Sequence, residues 1–145
     1  QDAGRQPRGH EEPDHALEGR RVRLPQTRHE SEGLRLGTVR RPPRGVRKED
    51  YGHLNYYDLW LPELAPSAPL VSWALSQPFD ARRWATYARK YLVEMRKPSP
   101  QRLIALLAAM SQDADFSIGC YCNQESRCHR SLLRDLLLEH GANMK

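Results

Sequence analysis

The sequence predicts an α/β fold: a small single domain with a few-stranded, mainly parallel sheet flanked by helices. Three observations predict it. Short apolar alternations lie toward both ends of the chain, at 20–24, 34–39 and 116–122. A block of helix-period sequence fills the middle, from Ser67 to Met110. The last strand pattern then runs straight into a leucine-rich helix pattern.

Taken in order, Arg20-Arg21-Val22-Arg23-Leu24 reads as a strand stopped by Pro25. A polar loop over 25–33 closes at Gly33, and Leu34 to Val39 alternates as a second strand. Arg40-Arg41-Pro42-Pro43-Arg44-Gly45 cannot continue it, because proline gives no ladder donor, so this is a rigid basic loop. Tyr56 to Leu61 has extended character and ends at Pro62. Ser67 is placed to cap a helix running to Ser76, with Pro69 tolerated in its first turn.

Asp80 caps the clearest helix, Ala81 to Lys97, with Trp84, Ala88, Tyr91, Leu92 and Met95 as its buried stripe. Pro98 is expected to stop it, and Ser99-Pro100 to start a well-buried helix through Met110. Phe116 to Cys122 reads as a core strand, and, being short and apolar, as a central one. The final helix is predicted from about Arg127, capped by Ser126, to His140, with Gly141 as the residue after its end.

Composition bounds the function. The 145 residues are 39% hydrophobic and carry a net charge of +5. No segment approaches the ~20 apolar residues of a membrane helix, no secretory h-region is visible, and no membrane partner is expected. The three cysteines cluster between 120 and 128 rather than forming a dispersed disulfide set, which argues for a reducing, cytoplasmic setting. Positive charge is concentrated: Arg20 to Lys48 holds ten Lys/Arg residues against Glu30 and Glu32, a net charge of +8. Such a segment fits an anionic partner, either a small molecule or nucleotide, or as second choice a nucleic acid. The plain alternative is a solvated arginine-rich surface.

The ordered series Arg21-Val22, Gly33-Leu34-Arg35-Leu36, Pro43-Arg44-Gly45-Val46-Arg47-Lys48-Glu49-Asp50, Trp60, Ala65-Pro66-Ser67 with Leu70, Tyr87 to Tyr91, and Cys128-His129-Arg130 resembles domain-of-unknown-function family 488 (DUF488), with its YeaO-like branch. The likeness runs from about Arg20 to Gly141. It implies a small α/β domain with an arginine-bearing first strand, a Pro-Arg-Gly loop and a terminal strand–Cys-His-Arg–helix unit. It points to a site and supplies no reaction. Pro42 stands where the YeaO-like branch usually has Trp. The expected organisation is a disordered N-terminal tail over 1–19 and a DUF488-like α/β domain over 20–145.

The chemistry concentrates where the last strand meets the last helix. A helix N-terminus carries partial positive charge and free amide donors, which lower a thiol's pKa and attract anions. If the chain is an enzyme, Cys128 is the candidate nucleophile and His129 its general base, helped by Arg127 and Arg130. Cys128 is then expected to alkylate faster than Cys120 and Cys122, both read as buried on one strand face. The alternative is that Cys128 and His129 only pack in the core. An anion-binding cleft is expected from Arg21, Arg40, Arg44, Lys48 and Arg130, with Arg44 and Arg130 converging, because loops at parallel-strand ends meet at one edge. No cofactor is expected, and no zinc. Cys120-x-Cys122 is not the usual knuckle spacing, and neighbouring ligands Cys128 and His129 would diverge by about 100° on a helix. Two other classes stand beside this reading: a small zinc-stabilised domain, with Cys120, Cys122, Cys128 and His129 as its ligand set, and, ahead of it, a non-catalytic nucleic-acid-binding module. It would use the basic loop and the six positive side chains Arg82, Arg83, Arg89, Lys90, Arg96 and Lys97 of the 81–97 helix.

Overall fold

A computed structural model describes residues 17–122 and 124–145, with Glu125 as backbone only. Residues 1–16 of the expected tail lie outside it. Among the described residues four strands form one sheet in the order β1-β4-β2-β3: β1 (Gly19–Arg23), β2 (Leu34–Gly37), β3 (Leu59–Trp60) and β4 (Phe116–Cys120). Every pairing is parallel. Parallel pairing brings the carboxyl ends of all four strands to one edge, where Arg23, Gly37, Trp60 and Cys120 end together. β4 is buried along its whole length, as its unbroken apolar run requires of a central parallel strand.

Four helices follow the sequence signals closely: α1 (Ala68–Leu75), α2 (Ala81–Glu94), α3 (Pro98–Met110) and α4 (His129–Glu139). Ser67 Oγ accepts from Leu70 N–H and Asp80 from Arg83 N–H, so both predicted caps form. Four local expectations change. Pro98 does not end a helix but occupies the first position of α3, where its missing N–H is no loss. The buried line of α2 is Tyr87, Tyr91 and Met95, spaced by four, with Trp84 only partly covered. α3 is not buried all round, since Leu106 is 54% exposed. The last helix begins later than predicted, because Glu125–Arg127 makes a separate 3-10 turn and Cys128, not Ser126, is the N-cap. Its far end closes as expected, with Gly141 at φ 88. No helix among the described residues is long and apolar enough to cross a membrane.

The two faces of the sheet differ, as strand alternation dictates. Leu36, Phe116 and Ile118 join the helix side chains Tyr91, Ile104, Leu133 and Leu137 in the main core. Arg35 and Ser117, paired in register, point the other way. There Arg35, 0% exposed, meets Glu32 at 2.5 and 2.8 Å and donates to the carbonyls of Gln26 and Asn55. Ser117 Oγ donates to the same carboxylate at 2.9 Å. One buried guanidinium therefore holds two loops against the sheet. The sequence reading left Glu32 in a polar loop; its partner three residues on is what pulls it inside.

Burial opposes ionisation of Glu32, but the bonds from Arg35, His29 N–H and Ser117 outweigh it and hold its carboxyl below the ordinary 4.5. Asp58 likewise lies below 3.8, its burial outweighed by Arg28 and the Arg35 N–H. Groups with depressed folded values stabilise above their unfolded pKa and lose that contribution as pH falls through the folded one. Urea unfolding should therefore be nearly flat from pH 7 to about pH 5 and weaken below about pH 4. Glu32→Gln at pH 7 should cost about 3–5 kcal/mol, because it leaves a buried guanidinium without its carboxylate. The gap between mutant and wild type should narrow on the acid side. An unchanged midpoint for Glu32→Gln would remove this ion pair from the account of stability.

Candidate functional site

Where β4 ends, the chain must turn away from the sheet and re-enter it as α4. Cys120 is the last residue of β4 and is buried, while Cys122 lies past the strand and is exposed. The expectation that Cys122 shares the strand face is thus corrected: β4 stops two residues earlier. Cys128 is 1% exposed and has extended backbone, φ −127 and ψ 149. Its sulfur takes the place of an N-cap oxygen, accepting from Arg130 N–H at 3.5 Å and from Arg130 Nε–H at 3.3 Å.

His129 follows at the first turn of α4, 3% exposed. Its Nε2 lies 2.6 Å from Thr38 O and 3.1 Å from Thr38 Oγ1. A carbonyl can only accept, and the Thr38 hydroxyl gives its proton to Gly119 O at 3.0 Å, so both groups face His129 as acceptors. Nε2 therefore carries the proton, and the bare Nδ1 lies 3.7 Å from Cys128 Sγ. Tyr91 packs on the imidazole at 5.5 Å between ring centres and is itself fixed by donating to Leu64 O at 2.7 Å.

The three sulfurs lie together. Cys120 and Cys122 are 3.7 Å apart. The donor atoms of Cys120, Cys128 and His129 all fall within 4.8 Å of one another. Bonds from the Cys120 and Cys122 thiols outweigh burial and hold the Cys128 thiol well below its ordinary value. The bonds it gives Cys122 and Cys128, and burial, push Cys120 up. Burial, then the charge on Cys128, raises Tyr87. One sulfur is thus favoured as thiolate and two as thiols.

The cluster opens on a cavity of about 320 Å³. Cys120, Cys122, His129 and Tyr87 line it together with Val39, Arg40, Arg41 and the α1 residues Val71 and Ser72. Arg40 binds the carbonyls of Pro62, Ala65 and Pro66 through Nε and Nη2. Arg41 is exposed at the rim.

The remaining predicted residues separate. Arg130, 2% exposed, gives its guanidinium to Val22 O at 2.5 Å, Cys122 O at 2.8 Å and the Cys128 sulfur, and is not among the residues that line the main cavity. Arg44 lines an adjoining hollow with Pro25, Tyr56 and the Arg41 and Tyr121 that also bound the main cavity. Lys48 lines a third hollow beside Tyr51 and Asp58. Arg21 sits in β1 opposite Ile118 and away from the cavity wall. Arg127 binds Phe79 O. On the basic helix face, Arg83 and Lys90 lie over the Trp73 ring, at 4.1 and 4.5 Å. Thr38 carries no role in the sequence reading, and Tyr87 and Tyr91 enter it only as helix and family-series residues rather than as site residues. The sequence reading places Thr38 inside a strand running to Val39, whereas β2 ends at Gly37 and leaves Thr38 at the sheet edge.

A family model described as the active DUF488-N3 subclade matches residues 20–141. No curated protein and no solved structure matches the chain. The chain belongs to the DUF488 family.

Arg130→Met should deprive the Val22 and Cys122 carbonyls of their guanidinium donors and the Cys128 sulfur of its cation. Denaturant unfolding should show a loss of about 3–5 kcal/mol. Thr38→Val keeps the backbone carbonyl and should cost only about 1 kcal/mol. Equal costs for the two would show that the Arg130 bonds are not the stronger constraint.

Proposed function

We propose that this DUF488 protein binds a small anionic molecule, bearing a phosphate or carboxylate, in the cavity at the carboxyl edge of the sheet, and presents it to the Cys128–His129 pair. The observation that carries this reading is the cavity itself, which is lined both by Arg40 and Arg41 and by Cys120, Cys122 and His129 of the thiol–imidazole cluster. Arg40 Nη1 has no partner among the described residues, so this half-buried guanidinium retains a donor next to the space. Arg41 adds a second positive charge at the rim. Open α/β sheets bind ligands at this edge of their strands, and the cavity volume suits a small ligand.

The cluster supplies lone pairs beside the bound molecule. Cys128 Sγ is prepared by two N–H bonds from Arg130. His129 Nδ1 is left bare by the bonds its other nitrogen makes to Thr38. In a reducing cytoplasm the three free cysteines would remain available. Arg44, in the adjoining hollow, extends the positive field toward the rim.

Titration with inorganic phosphate, against chloride at the same ionic strength and followed by backbone amide NMR, should move the signals of residues 39–41 and 120–122. Arg41→Gln, at an exposed residue, should weaken the response about tenfold, the worth of one charged hydrogen bond. Ser72→Trp should fill the cavity and abolish it. Equal shifts with chloride, or shifts confined to residues 82–97, would sink the reading.

A further inference from the structure

We propose that Cys120, Cys128 and His129 are the protein ligands of one zinc-class divalent ion, with Cys122 as a displaceable fourth ligand on the cavity wall. Tetrahedral zinc with sulfur at ~2.3 Å and nitrogen at ~2.05 Å sets its sulfurs about 3.8 Å apart and a sulfur–nitrogen pair about 3.6 Å apart. Cys120 and Cys122 are 3.7 Å apart, and Cys128 Sγ lies 3.7 Å from His129 Nδ1. The Cys120, Cys128 and His129 donors, within 4.8 Å of one another, need to contract by only about 1 Å.

The objection read from the sequence assumed that Cys128 and His129 are successive residues of a helix. Cys128 is instead the extended N-cap residue, so its Cβ does not follow the helical rotation. The short Cys120-x-Cys122 spacing is no obstacle either, because Cys120 ends a strand and Cys122 belongs to the turn beyond it.

The groups behind the donors are those a metal ligand needs. A ligating imidazole gives its other N–H to a fixed acceptor, and His129 gives Nε2–H to Thr38 O and Oγ1. Cys128 is backed by two N–H donors of Arg130. Three thiolates around a divalent ion leave one net negative charge, and the buried Arg130 guanidinium at Cys128 balances it. Thiolate and imidazole donors select zinc and its soft neighbours over magnesium or calcium. Cys120, Cys122 and His129 line the cavity, so the fourth position faces that space. The inference rests on the preceding reading only in taking the cluster as the working end of the cavity.

The probe is cobalt(II), followed by zinc(II) competition, on the reduced, chelator-stripped full chain without phosphate. One ion per chain is expected, with tetrahedral d–d bands and a sulfur-to-cobalt charge-transfer band. Cys128→Ser should lower affinity by at least about 100-fold, while Cys122→Ser should keep the ion, weaken the charge-transfer band and lose no more than about tenfold. Far-UV circular dichroism checks that each variant is folded. X-ray absorption of the zinc-loaded wild type needs no variant and should show two or three sulfurs with one nitrogen. An oxygen-only shell, no charge-transfer band, or a folded Cys128→Ser that binds like wild type would overturn the site. Cobalt binding without phosphate binding would defeat the anion reading alone; phosphate binding without cobalt binding would defeat the metal site alone.

Discussion

Arg130 is the residue on which the geometry of the sheet edge depends. A fully buried guanidinium is costly to desolvate, by several kcal/mol even in a relaxed interior. Here it is held by the carbonyl of Val22 in β1, the carbonyl of Cys122 in the turn beyond β4, and the sulfur of Cys128 at the start of α4. Those three points belong to an edge-side strand, a loop and a helix start. A planar fork with several donors fixes them relative to one another in a way that a single ammonium cannot. Because Arg130 adjoins His129, the same bonds set where the imidazole enters the sheet edge, and Thr38 then fixes its orientation.

The opposite face of the sheet uses the same device. Arg35, Glu32 and Ser117 form a buried polar group that ties two loops to β2 and β4. The apolar core lies on the helix side, and by their parity Leu36, Phe116 and Ile118 join it while Arg35 and Ser117 join the polar group. β4 contributes to both, with Phe116 and Ile118 facing the helices and Ser117 facing the polar group. Its last residue, Cys120, leaves this scheme and joins the smaller cluster of Val22, Leu24, Val39, Tyr57 and Cys128. The cysteine–histidine cluster therefore sits where the main core gives way to the loops of the sheet edge.

This placement separates two roles that arginine can take. Arg130 and Arg35 work inward, saturated by carbonyls, carboxylate or sulfur. Arg40, Arg41 and Arg44 stand in the Pro-Arg-Gly segment beyond β2 and line cavities open to solvent. Arg40 combines both, since it braces the 62–66 segment while lining the main cavity. The proposed ligand and metal sites thus share Cys128 and His129, while the arginines beyond β2 belong to the ligand site alone.

The sequence by itself determined the class of fold, the central position of the last strand, the caps at Ser67 and Asp80, and the place of Cys128-His129-Arg130 between the last strand and the last helix. Those features rest on local rules of period, capping and turn chemistry, which act within a few residues. The family likeness marked the same segment. Tertiary structure decided the rest. Arg44 and Arg130 look alike in sequence, yet one is exposed and one is buried, because only the packing of β1 against β4 creates carbonyls for Arg130 to bind. Thr38 gains its role only when β2 lies beside β4 and brings it 91 positions along the chain to His129. The mutual approach of the cysteines turns on one backbone torsion pair at Cys128, extended rather than helical. Sequence spacing carries no information on that choice, because a 3-10 turn before the helix and an earlier helix start present the same residues in the same order.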